Sequence, residues 1–199
     1  MNKEDIIEDI SQNMLAYMYA PPELKKDKDV VLAAVSKNGS ILQYVPSELR
    51  NDHQVIMAAV AQNGLALRYA RGLKDDTDIF MTAIKQNGMA LEYAPELKND
   101  QYAVMTAIMN NGMALRFASP ELRTDPEFLW YASKNGYVPN EVEQASIQKY
   151  DVTRKSHLIP LAAMPFKQGY YANQKLKGLV RGFAGYGGKR KTRRHKINL

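Results

Sequence analysis

The stretch DHQVIMAAVAQNGLALRYA, residues 52–70, decides the fold. An aspartate opens it, and a carboxylate there can accept hydrogen bonds from the free N–H groups of a helix's first turn. The run Val55, Ile56, Met57, Ala58, Ala59, Val60 follows. Six adjacent apolar positions go around most of a helix, so that helix must be covered on several sides, as one sandwiched between like neighbours would be. Asn63-Gly64 then stops it, about 11 residues after the aspartate. The expected device is a glycine in the left-handed conformation that closes the last carbonyls. Asn-Gly is also a hairpin signal, but the segment after it lacks strand alternation. Ala66, Tyr69 and Ala70 fit a short second helix instead.

The same pattern recurs along the chain. Asn-Gly stands at 38–39, 63–64, 87–88, 111–112 and 135–136, and aspartates keep step at Asp27, Asp52, Asp76, Asp100 and Asp125. The period is 24 to 25 residues. Asp125-Pro126-Glu127 is the fullest start signal, with cap, proline at the first helical position and an acid near the positive helix end. A Pro-Glu-Leu turn usually closes the unit, as at Pro95 and Pro120, and the one-residue change in period falls there. An earlier copy ends in Asn13-Met14, which makes about six units. The first is degenerate, with Asp5 and Asp9 at positions that are apolar later, and the last is one residue short. Atypical end units are what a capped array needs. The fold class expected is all-α: tandem helix-pair repeats in a short α-solenoid-like array over residues 1–138, with a flexible basic C-terminal tail.

The unit D-x-x-V-V-L-A-A-V-x-x-N-G-x-x-L-x-Y-A-x-x-E-L resembles a repeat family, DUF4116. Asp27 to Leu49 follows it closely, and residues 27–124 carry four good copies. The resemblance implies tandem small helical repeats. It implies no activity and transfers no catalytic residue. The resemblance implies a source among large DNA viruses of protists or bacteria that live inside protists.

Charge divides the chain. Residues 1–151 hold 15 Lys/Arg against 21 Asp/Glu, a net of −6; residues 152–199 hold 12 Lys/Arg and no acid, a net of +12. Such asymmetry points to a polyanionic partner for the tail. From Gly136 the repeat fades. Glu141 to Lys149 can form one more helix capped by Asn140, and 139–180 is expected to be a partly helical extension. Residues 181–199 are a glycine-aromatic stretch and a basic cluster, expected to be disordered. Arg181, Lys189, Arg190, Lys191, Arg193, Arg194 and Lys196 are the candidate polyanion-binding residues, able to neutralise phosphates with steep salt dependence. Phe183 and Tyr186 could stack on bases. A transport receptor, an acidic protein or a membrane surface are the competing targets. The ending also resembles, in composition, the tails of many proteins of giant DNA viruses.

Nothing in the sequence forms a catalytic constellation. There is no cysteine, which excludes disulfides, thiolate zinc sites and thiol nucleophiles. His53, His157 and His195 have no metal-ligand spacing, and His53 is expected to be merely exposed. Asp27 with Asp29, and Asp76 with Asp78, could be read as an acidic catalytic or calcium row, but capping explains their placement better. Met57, Met81 and Met105 share one position and Met89 and Met113 another, and core filling is expected of both. No catalytic, cofactor or metal residue is therefore assigned. Before each aromatic of the second helix stands a polar, variable residue: Gln43, Arg68, Glu92 or Arg116. These form a row along the array, which is either a solvated face or a partner-binding strip.

The expectation is thus a non-enzymatic structural or interaction protein. The leading reading is a virion component of a large DNA virus, with the repeat body binding protein and the tail binding nucleic acid or an acidic surface. An effector-like module of an intracellular microbe is the second, and a nucleic-acid-binding protein acting through its tail the third. The chain opens without a secretory pattern, so an intracellular or virion location is expected. No transmembrane segment is expected, because Leu158 to Phe166 is too short and holds Pro160 and Pro165.

Overall fold

In the computed structural model each aspartate of the period caps an α-helix with its own side chain. Asp27 Oδ1 accepts from the Asp29 and Val30 N–H groups, and Asp52 Oδ1 from those of Gln54 and Val55. Asp76 takes Ile79 N–H, Asp100 takes Ala103 N–H, and Asp125 takes those of Glu127 and Phe128. The structure describes residues 2–13, 15–70 and 76–157, with side chains to residue 153. Among these residues there is no strand. The long helices are α1 (Lys3–Gln12), α2 (Lys28–Lys37), α3 (His53–Gln62), α4 (Thr77–Gln86), α5 (Gln101–Asn110), α6 (Pro126–Lys134) and α7 (Glu141–His157). α1 is capped by Asn2 in a capping box with Asp5. α7 starts at the expected Asn140 cap but runs on past Lys149 to His157. The compact body ends at Asp151, whose Oδ1 accepts from Trp130 Nε1 at 3.1 Å. No described helix is long and apolar enough to cross a membrane.

Successive helices α1 to α6 pack side by side, each on the next. In α3, Val55, Ile56, Ala59 and Val60 are fully buried, and the same four places are buried in α2, α4 and α5. α1 has only one neighbouring helix in the stack, so only Ile6 and Ile10 are buried while Asp5 and Asp9 stay in solvent. The degenerate first unit is therefore a polar end cap. Of the methionines expected to fill core, Met81 is buried, Met57 and Met105 are half-buried, and Met113 is exposed.

In the first unit the second element is one α-turn, Ala16–Tyr19. In the second to fifth units it is not α-helical but a six-residue 3-10 helix: Gly39–Tyr44, Gly64–Tyr69, Gly88–Tyr93 and Gly112–Phe117. The asparagine before it serves two helices at once. Asn63, for example, has an extended backbone, its N–H closes α3 on Ala59 O, and its Oδ1 accepts from Leu65 N–H at 3.1 Å. A short turn then leads to the next aspartate, as a 3-10 turn at Pro95–Leu97 or one α-turn at Ser47–Arg50 and Pro120–Thr124.

The left-handed reading of Asn-Gly is corrected at four of its five sites. Among the described glycines only Gly136 has a positive φ, +96°, and there Tyr137 N–H reaches back to Ala132 O at 3.0 Å in a left-handed cap. The other four glycines are required by close approach. A Cβ on Gly39, Gly64, Gly88 or Gly112 would stand 2.3 Å from the carbonyl oxygen of Ala59, Ala83, Ala107 or Ala132, in the helix of the following unit. One small residue meets another, so each 3-10 helix can press its backbone onto the next unit's α-helix.

Candidate protein-binding face

The four six-residue 3-10 helices pack in a row of their own, each touching its own α-helix and the following one, and each of the first three touching the 3-10 helix of the next unit. Three residues per turn stack positions i and i+3 directly over one another. Position one (glycine) and position four (Leu42, Leu67, Leu91, Leu115) form the buried edge. Position three is buried, and position six over it is Tyr44, Tyr69, Tyr93 or Phe117, at the rim. Positions two and five make the outward edge. They pair Ser40 with Gln43, Leu65 with Arg68, Met89 with Glu92, and Met113 with Arg116.

The structure thus brings Gln43, Arg68, Glu92 and Arg116 to one register of the outer edge; Arg68, Glu92 and Arg116 are exposed and Gln43 half-buried. Beside them runs an apolar row, Leu65, Met89 and Met113, that an α-helical reading assigns to the core. Met113 is 37% exposed and Tyr44 54%. The Arg68 guanidinium lies 4.7 Å from the Tyr69 ring centroid, and that of Arg116 lies 4.6 Å from Phe117. Stacking restrains the guanidinium while its in-plane donors remain available at its edge. The Tyr93 phenol is pushed above its ordinary pKa, first by burial and then by the Glu92 carboxylate, which also hydrogen-bonds it; Arg68 of the previous unit opposes the shift. The third and fourth units are therefore electrostatically linked along this row.

Two further ladders fix the spacing of that row, and sequence reasoning missed both. The first is made of amides. Gly39 N–H donates to Gln62 Oε1 at 2.6 Å, Gly64 N–H to Gln86 Oε1 at 2.5 Å, and Gly88 N–H to Asn110 Oδ1 at 2.9 Å. Gln86 Nε2 returns a bond to Gln62 O, and Asn110 Nδ2 to Lys85 O. In the shortened last unit Lys134 stands at this place and cannot accept, and the Asn135 carbonyl takes Gly112 N–H at 2.8 Å. The signal was an amide immediately before three of the Asn-Gly pairs. The second ladder joins the first helical residue of one unit to the cap of the next: Lys3 to Asp27 at 3.0 Å and also to Asp29, Lys28 to Asp52 at 2.8 Å, and His53 to Asp76 at 3.2 Å. Lys3 and Lys28 hold the Asp27 and Asp52 carboxyls below the usual range, each chiefly through its hydrogen bond. His53 is exposed as expected, but it has this partner.

All five aspartates are thus caps, and Asp27, Asp52 and Asp76 also pair between units. Among the described residues no group of three His, Cys, Asp or Glu is placed to hold a metal. Arg181, Lys189, Arg190, Lys191, Arg193, Arg194 and Lys196 lie outside the described residues, as do His195, the 158–180 part of the extension and the His157 side chain.

Comparison with known proteins yields one family. The domain of unknown function DUF4116 matches residues 2–50, 27–74, 52–98 and 100–138. The first three matches each span two of the 24- to 25-residue units and overlap by one. No curated protein and no solved structure matches the chain.

Proposed function

Because this chain belongs to the DUF4116 family, whose matches tile the body from residue 2 to 138, we propose that it is a non-enzymatic interaction scaffold. The body binds protein through the outer edge of its 3-10 helices, and the basic tail binds a polyanion. The observation that carries the reading is the outer edge itself: an apolar row, Leu65, Met89 and Met113, beside a charged row, Arg68, Glu92 and Arg116, in register over three units, with both arginines held against aromatic rings. Aromatic, methionine and arginine side chains are those enriched at protein interfaces. The tail's part rests on seven Lys/Arg and no acid between Arg181 and Lys196, attached to a body of net −6. A virion setting is part of this proposal; it rests on the source that the repeat resemblance implies and on the likeness of the tail's composition to proteins of giant DNA viruses.

The test has two arms on the full chain. Leu65→Lys with Met113→Lys should abolish recovery of a defined protein from the native source while circular dichroism stays unchanged; equal recovery of every protein would end the reading. Deleting residues 181–199 should remove most binding to duplex and single-stranded DNA, and the intact chain's affinity should fall steeply with salt and show little sequence preference. Undiminished binding by the truncated chain would place the nucleic-acid site on the body.

A further inference from the structure

Resting on the protein-binding reading of this face, we infer that its partner is a second copy of the same chain, docked antiparallel. Charge complementarity along the row selects that partner and that direction. Two identical faces can meet about a twofold axis lying in the interface, either along the array or across it. An axis along the array sets every unit against itself, so that Arg68 meets Arg68, Glu92 meets Glu92 and Arg116 meets Arg116. An axis across the array, midway between the third and fourth units, reverses the order. Arg68 then meets Glu92 of the other copy, Glu92 meets Arg68, and Gln43 meets Arg116, with no like charges opposed. The apolar row follows the same operation, setting Leu65 against Met89 and Met113 against Ser40.

This register is singled out by the sequence of charges. An axis through the third unit opposes Arg68 to itself, and one through the fourth opposes Glu92 to itself and Arg68 to Arg116. An axis one unit further along also pairs Glu92 with Arg116, but it sets the third unit against the sixth, which has no 3-10 helix. Only the axis between the third and fourth units covers all four 3-10 helices while pairing opposite charges. Arg68, already stacked on Tyr69, has less freedom to lose on meeting a carboxylate. The shared pitch set by the amide ladder keeps both rows commensurate.

Sedimentation of the full chain over a concentration series tests this. The parent should be a dimer. Arg68→Glu and Glu92→Arg should each raise its dissociation constant at least ~30-fold, as breaking close interfacial charge pairs does. The two single variants mixed in equal amounts should associate with each other. In that mixed pair the new carboxylate at position 68 of one copy meets the new guanidinium at position 92 of the other, and the unaltered Glu92 and Arg68 meet as before. The double variant R68E/E92R should recover self-association. Arg116→Glu faces only Gln43 and should leave association within about threefold of the parent. A monomeric parent overturns the inference, as do single variants that dimerise undiminished or a mixture that fails to associate. If the parent is monomeric but recovers a different protein that Leu65→Lys with Met113→Lys loses, the scaffold reading stands and self-association falls; if no protein of either kind is bound, both fall.

Discussion

Gly88→Ala should cost the body far more than a glycine-to-alanine change in a helix cap. The added Cβ would sit 2.3 Å from Ala107 O, 3.0 Å from Ala107 C and 3.2 Å from its Cα. Ordinary contact begins near 3.4 Å, so the two units must part by about 1.1 Å (3.4 − 2.3). All three of these neighbours are backbone atoms, so no side chain can swing away. Parting by that distance also breaks the Gly88 N–H bond to Asn110, now 2.9 Å. Overpacking costs ~1–3 kcal/mol and an unsatisfied N–H a further ~1 kcal/mol, for a total of ~2–4 kcal/mol. With a urea dependence of ~1–3 kcal/mol per molar, the midpoint should fall by ~1–2 M. The assay is urea unfolding of the full chain, followed by circular dichroism and by fluorescence of the single Trp130 because repeat arrays can depart from two-state behaviour. Gly136→Ala is the control: its φ is +96° and nothing lies within 4 Å, so only conformational strain of ~1 kcal/mol applies. Asparagine discriminates further, since it tolerates the left-handed region: Gly136→Asn should be nearly neutral while Gly88→Asn is as damaging as alanine. Equal midpoints for parent and Gly88→Ala would refute the close-approach argument, and a harmless Gly88→Asn would return the residue to a left-handed role.

Other consequences follow from the ladders. Gln86→Leu keeps much of the side-chain volume but leaves Gly64 N–H without its acceptor, and should lower the urea-derived stability by ~1–3 kcal/mol; Gln86→Glu, which retains the acceptor, should lose less. Asp100→Ala removes a cap that takes Ala103 N–H at 2.7 Å and should cost ~1 kcal/mol, read as a lower melting temperature. Lys28 holds the Asp52 carboxyl below its unfolded value, so that contribution is present above pH ~4 and is lost as pH falls through the lower folded-state pKa. Melting temperature against pH should therefore drop less steeply on the acid side in Lys28→Met than in the parent, and added salt should narrow the difference. Asp151→Ala removes the acceptor of Trp130 Nε1 and should shift Trp130 emission, with unchanged emission showing that this end of α7 does not dock there.

What the chain disclosed by itself was its local physics. An aspartate caps N–H groups two and three residues away, so Asp27, Asp52, Asp76, Asp100 and Asp125 could be read as helix starts from their own neighbourhoods. The apolar runs, the period, the degenerate first unit and the row at Gln43, Arg68, Glu92 and Arg116 were legible for the same reason. The tertiary structure decided whatever depends on a partner one unit away. Asn87-Gly88 and Asn135-Gly136 are the same dipeptide. The first has α5 of the next unit pressed on its glycine; at the second a Cβ on the glycine would meet nothing. Only the first needs glycine for space, and only the second needs it for a positive φ. The amides of Gln62, Gln86 and Asn110 look like ordinary surface residues until the glycine N–H of the preceding unit is brought to them. That same pressure, with the asparagine bond to the residue two places on, accompanies a 3-10 rather than an α second helix. A threefold repeat then turns Leu65, Met89 and Met113 outward beside the charged row, where an α-helical period would have hidden them.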